Sequence, residues 1–137
     1  MKVQEIMTKK VEYVTPNATL RQAARKMGQL GVGFLPVIEN GILIGIITDR
    51  DIACHAIGIG RDANWTDVQK VMKKEVITCF DDDDISDAAH LMEDHHIHRL
   101  PVLHHDNSLA GILSVDDLAR GSHDLAGEVL ERTAATH

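Results

Sequence analysis

The chain has 137 residues, enough for a compact domain with a real core, and its 44% apolar and 26% charged residues are ordinary for a globular protein. Aromatics make up only 3%, so the core must be built from Ile, Leu, Val, Ala and Met. A formal charge of −7 with no evident basic face argues against nucleic acid as the main partner. No apolar run approaches the roughly 20 residues of a membrane span, and the polar start Met1-Lys2-Val3-Gln4-Glu5 does not read as a signal peptide.

The chain opens with a short helical turn, Val3 to Met7, followed by a predicted strand at Val11 to Val14. Thr19 and Gln22 make a capping box for a helix whose apolar face is Leu20, Ala23, Ala24 and Met27. A second strand covers Phe34 to Ile38, and Asn40-Gly41 suits a type I′ hairpin turn. The third strand, Leu43 to Ile47, runs into a helix with Thr48 as N-cap and Asp51 at N3. A linker, Gly58 to Thr66, is expected to be pinned by a buried indole at Trp65.

The same series then returns. A turn at Val68 to Met72 leads to a strand at Val76 to Cys79 and a helix with a capping box at Asp84 and Asp87. Strand Arg99 to Leu103 follows, with a surface hairpin turn at His104-His105-Asp106-Asn107 and a last strand ending at Ser114, with Asp117 at N3. Val3, Gln4, Met7, Ala23, Ala24, Met27, Leu35, Pro36 and Val37 recur 65 positions later, and Gly45, Thr48 and Asp51 recur 66 positions later as Gly111, Ser114 and Asp117. The one extra residue falls in a turn, where a duplicated fold tolerates it. The division is 1–60 for the first repeat, 61–66 for the linker, 67–122 for the second repeat and 123–137 for a tail or short helix, with weak periodicity at Leu125, Val129 and Leu130. The fold class is α/β (α+β): two tandem β-α-β-β-α repeats packed as one pseudo-twofold module.

Two chemistries compete at Thr48–Asp51 and Ser114–Asp117. Each is sufficient as a capping box, worth about 1 kcal/mol to its helix. Each is also a cradle in which a carboxylate accepts from both hydroxyls of a ribose while the helix N-terminus favours a phosphate. Nine histidines raise the question of metal, but His95 and His96 diverge at a helix end and His104-His105 sit in a turn, so no metal site is expected. The Asp81 to Asp84 run reads as a solvated helix start. Cys54 and Cys79 lie in apolar contexts without a close pair and read as reduced core thiols in a cytoplasmic protein.

The repeat resembles the cystathionine β-synthase (CBS) domain, and the tandem resembles a Bateman module. The features that carry this are the leading turns Ile6-Met7 and Val71-Met72, the Ala-Ala-x-x-Met helices, the Leu-Pro-Val strands and the Gly-x-x-Thr/Ser-x-x-Asp endings, all present twice and in register. The resemblance covers residues 3 to about 120. It implies a regulatory, non-catalytic module whose clefts take AMP, ADP, ATP or S-adenosylmethionine, with no covalent cofactor. Most family members are attached to an enzyme or transporter, whereas this chain, with no room for an effector domain, reads as stand-alone. It also implies pairing into a homodimer and an unknown regulated protein as partner. Helices carrying Ile52, Ala53, Ala56, Leu118 and Ala119 are the expected pairing surface.

Carried onto this chain, the resemblance assigns ligand-binding roles to Ile77, Thr78, His98, Arg99, Pro101, Ser114, Asp116 and Asp117 in one set. The other set is Val11, Tyr13, Pro36, Thr48, Arg50 and Asp51. His98-Arg99 and Thr78 favour phosphate in the first set. The matching Gly33-Phe34 and Tyr13 are apolar or bulky, leaving Arg50 to supply charge in the other. The competing readings are an interaction or structural module with empty clefts, and an enzyme. No Ser-His-Asp or Cys-His arrangement is legible in support of the enzyme.

Overall fold

A computed structural model describes residues 1–134; the end of the expected tail, 135–137, lies outside the described residues. The fold is mixed α+β and divides into two compact units, Glu12–Val76 on the one hand and Met1–Val11 with Ile77–His137 on the other. These units are not the contiguous repeats. Val3, in the turn Val3–Glu5, is fully buried in the core of the second repeat, and Val68, in the matching turn Val68–Lys70, is fully buried in that of the first. The leading turns are exchanged.

In unit Glu12–Val76, helix α1 (Leu20–Leu30) starts at the expected capping box, with Thr19 Oγ1 accepting from Gln22 N at 3.1 Å and Gln22 Oε1 accepting from Thr19 N at 2.9 Å. Leu20, Ala23 and Met27 are buried, whereas Ala24 turns out to be exposed. Strands β1 (Phe34–Glu39) and β2 (Ile42–Thr48) form an antiparallel hairpin. Its turn residues have φ of 52° at Asn40 and 79° at Gly41, as a type I′ turn requires. Helix α2 (Asp49–His55) follows without a loop, turning Ile52 and Ala56 inward and leaving Cys54 exposed, against the expectation of a core thiol.

The strand expected at Val11 to Val14 is one bridge, Val14 to Val37. Val14 donates to Pro36 O and accepts from Ile38 N. Pro36 has no N–H for the preceding rung of a parallel ladder and Pro16 none for the following one, so pairing stops at both sides. Trp65 is 82% exposed, so the linker is not held by a buried indole. It is held by backbone instead. Thr66 O and Ala63 O accept from Leu20 N and Arg21 N, donors that the first turn of α1 leaves without intrahelical partners.

In the other unit, β3 (Cys79–Phe80), β4 (Arg99–Leu103) and β5 (Leu109–Ser114) form one sheet in that order, β3 parallel to β4 and β4 antiparallel to β5. The strand expected from Val76 begins only at Cys79, because Pro101 blocks the earlier rung. It runs further than its counterpart because Asp81, where the first repeat has Pro16, donates its N–H to Leu103 O. Helix α3 (Ile85–His95) buries Ile85, Ala88, Ala89 and Met92. Asp84 is its N-cap, but the expected Asp84–Asp87 capping box does not form, and Met1 O accepts from Ile85 N instead. Helix α4 (Val115–Gly121) leaves β5 at Ser114. The tail is a real helix, α5 (His123–Ala134), which packs on α3 and α4 through Ala126 and Val129, with Leu130 exposed. Among the described residues no helix is long and apolar enough to cross a membrane.

Candidate functional site

Asp117 and Asp51 are 2% and 1% exposed, and each is held by the same device. A strand ends, its last residue caps a helix, and the carboxylate three residues on returns to the cap. Ser114 N donates to Asp117 Oδ2 at 2.9 Å while Ser114 Oγ accepts from Asp117 N at 3.1 Å. Thr48 N donates to Asp51 Oδ2 at 3.2 Å while Thr48 Oγ1 accepts from Asp51 N at 3.1 Å. Both capping boxes anticipated from spacing are therefore formed.

A third segment completes each arrangement. Thr8 pairs with Ile112 by two backbone hydrogen bonds of 2.9 and 3.0 Å, laying a strap along the free edge of β5. Gly111 is required there, because a Cβ at that position would stand 2.5 Å from Thr8 O. The strap carries the Thr8 hydroxyl to 3.3 Å from both Asp117 oxygens, and Arg120, one turn along α4, pairs with the same carboxylate. In the other unit Lys73 pairs with Ile46 by bonds of 2.8 and 3.0 Å, Gly45 makes room for it, and the Lys73 ammonium lies 3.6 Å from Asp51 Oδ1. Sequence reasoning missed Thr8, Lys73 and Arg120. Thr8 and Lys73 occupy equivalent places in the duplication, one past Met7 and Met72, and that was the signal available for them.

The remaining candidates distribute unevenly. Around Asp117, Arg99 is exposed on β4 directly opposite Ser114 in the ladder, and Pro101 is buried opposite Ile112. Ile77 and Thr78 are half-buried on irregular backbone, and Asp116 is exposed. His98 is half-buried; its carbonyl accepts from Val115 N at 3.0 Å and its Nε2 is hydrogen-bonded to the Thr133 hydroxyl of α5. Around Asp51, Pro36 is buried, and Arg50 is exposed with its N–H on the Asp49 carboxylate, so the cation that reaches Asp51 is Lys73 rather than Arg50. Tyr13 is 47% exposed with the Lys26 ammonium 5.9 Å from its ring centre. Val11 belongs to the unit that contains Asp117, not to the unit of Asp51.

The Asp81 to Asp84 run is not simply solvated. Asp81 is 2.9 Å from His104 Nδ1, Asp82 is 2.7 Å from His105 Nε2, and the His105 ring stacks on Phe80 at 4.4 Å. The bond from His105 holds the Asp82 carboxyl below its usual range, and hydrogen bonds from Ser108 do the same for Asp106. Burial pushes the Cys79 thiol up to about 12, with the Asp83 charge adding to the effect.

The CBS domain family model matches residues 3–57 and again 67–124. CBS domain-containing protein YhcV of Bacillus subtilis is 42% identical over 130 residues, covering 93% of this chain and 91% of that protein. Hypoxic Response Protein I, solved with two coordinated zinc ions, superposes with a TM-score of 0.80 at 29% identity, covering 88% of this chain and 98% of that one. The CBS domain pair of MJ0100, solved with 5′-methylthioadenosine and S-adenosyl-L-methionine, gives a TM-score of 0.76 at 26% identity, covering 90% and 97%. The chain belongs to the CBS domain family, as a tandem pair of its domains.

Proposed function

We propose that this protein is a regulatory, non-catalytic module that takes an adenosine-containing ligand and passes its occupancy to a partner protein. The ligand is an adenine nucleotide (AMP, ADP or ATP) or S-adenosylmethionine. One observation carries the reading. A 2% exposed carboxylate, Asp117, is fixed at a helix start beside the Ser114 hydroxyl, with Arg99 across the ladder from Ser114. In this reading Asp117 accepts from the ribose hydroxyls, Ser114 and the amides that follow it meet the phosphate, and Arg99 supplies the outer charge. His98, whose Nε2 is hydrogen-bonded to the Thr133 hydroxyl, stands next to Arg99 as the alternative source of that charge. Arg120 must give way, and its side chain is 66% exposed, so it can leave for water at small cost. The adenosyl ligands of MJ0100 support this class of ligand.

The Thr48–Asp51 arrangement is the second, weaker site, with Lys73 as its cation. We extend the reading to a homodimer and to the cytoplasm, the latter supported by the free thiols of Cys54 and Cys79. Of the expected pairing surface, Ile52, Ala56 and Leu118 are buried inside their own units, which leaves exposed Ala53 and half-buried Ala119 to face a partner. Equilibrium binding of AMP, ADP, ATP and S-adenosylmethionine, with product analysis on the same samples, tests the proposal. Binding without turnover is expected. Turnover would make the protein an enzyme, and absence of binding across the panel would leave an interaction module.

A further inference from the structure

Glu93 lies on α3, 6% exposed, and its Oε1 has no hydrogen-bond partner among the described residues. A buried carboxylate oxygen without a donor is costly, and native proteins rarely keep one without compensation. Nothing in the capping, core or strap arrangements accounts for it. Its surroundings supply a reason. His90 is one turn earlier on the same face of α3, and Glu128 projects from α5, which packs along α3. One nitrogen of His90, one carboxylate oxygen of Glu93 and one of Glu128 all lie within 4.8 Å of one another. The two carboxylates repel one another at that spacing, and a cation between them would relieve the repulsion. With one, all three become ligands.

We propose that His90, Glu93 and Glu128 form a binding site for a divalent transition-metal ion. An imidazole nitrogen with two carboxylate oxygens suits Zn²⁺ and its first-row neighbours, whereas Mg²⁺ and Ca²⁺ favour all-oxygen sets. Ligands at about 2.1 Å from zinc stand roughly 3.4 Å apart in a tetrahedral site, so rotamer adjustment of the exposed His90 and Glu128 is enough to close it. Glu93, fixed by burial, is the anchor. Three protein ligands leave a position for water or for a group from a partner. Bound metal would tie α5 to α3. A second cluster of the same size, Asp81, Asp82 and His105, lacks this signature, because His104 and His105 already engage its carboxylates.

The test is zinc titration of the full chain after chelator treatment, by calorimetry and by competition with a chromophoric chelator. The proteins are wild type, Glu93→Gln, His90→Ala, Glu128→Ala and, as a control for the second cluster, His105→Ala. One zinc equivalent should be lost or weakened at least tenfold in each of the first three variants and kept in His105→Ala. Zinc should also raise the melting temperature of wild type and not of Glu93→Gln. Should Glu93→Gln fail to fold, the two variants at exposed positions, His90→Ala and Glu128→Ala, still decide. Equal zinc stoichiometry and affinity in wild type and those variants would overturn the site, as would loss of the equivalent in His105→Ala alone.

Discussion

Replacing Gly111 with alanine tests the strap that completes the Asp117 arrangement. The added Cβ would stand 2.5 Å from Thr8 O, 3.1 Å from Met7 Sδ and 3.3 Å from Met7 Cγ, where ordinary contact begins at 3.4 Å. The methionine can yield, but Thr8 O is backbone and is bonded to Ile112 N at 3.0 Å. Relief therefore lifts the strap by several tenths of an ångström and sacrifices both Thr8–Ile112 bonds. Two such bonds contribute about 1 kcal/mol each. Residual overpacking adds about 1–3 kcal/mol, while alanine returns about 0.4–1 kcal/mol by restricting the unfolded chain. The net loss is about 2–5 kcal/mol, a fall in melting temperature on the order of 10 °C for a domain of this size. Gly127→Ala is the control. It lies in α5 with nothing within 4 Å of its Cβ, so it should stabilise by about 0.5–1 kcal/mol. The assay is urea unfolding followed by circular dichroism, with calorimetry as a second probe of two-state behaviour. If Gly111→Ala unfolds within about 0.5 kcal/mol of wild type, the strap is not held as described.

Other outcomes follow from the same geometry. A thiol reagent under native conditions should modify exposed Cys54 quickly and Cys79 only on unfolding, since burial raises the Cys79 thiol to about 12. Asp82 should titrate below the usual carboxylate range by NMR and return toward it in His105→Ala. Because its folded value is lowered, any stability it contributes is present above the unfolded value near 3.8 and lost as pH falls through the folded one. Trp65 should fluoresce as a water-exposed indole and be freely quenched by acrylamide, and protection of it at high protein concentration would indicate that the homodimer covers this surface. Light scattering that gave a monomer mass throughout the micromolar range would count against that dimer.

What was legible in the sequence was local. Both Thr/Ser–Asp capping boxes, the Thr19–Gln22 box and the Asn40-Gly41 turn depend on residues a few positions apart, and all four stand in the structure. The leading strands are shorter than their apolar runs suggest, because those runs say nothing about whether the neighbouring strand can donate. Pro36 and Pro101 cannot, and Pro16 closes the first ladder from the other side. Trp65 is exposed although composition makes a lone indole look like core, and the linker is fixed through Thr66 and Ala63 carbonyls that no side-chain pattern reveals. The exchange of leading turns is a long-range choice between two nearly identical partners. Duplication shows that Val3 and Val68 are equivalent but not which core each enters. Arg120 was within reach, three residues beyond Asp117 on a helix.

Calorimetric titration of AMP and ATP into wild type, Asp51→Ala and Asp117→Ala tests the proposed function most directly. Asp117→Ala removes the ribose acceptor, whose charge-assisted hydrogen bonds are worth about 1.5–3 kcal/mol each, so affinity should fall at least tenfold. Asp51→Ala should lose less. Each variant also loses about 1 kcal/mol of stability as a helix cap, so folding is checked in the same samples. Unchanged affinity in folded Asp117→Ala would reduce Asp117 to a capping residue and contradict the site, and a larger loss in Asp51→Ala would reverse the order of the two.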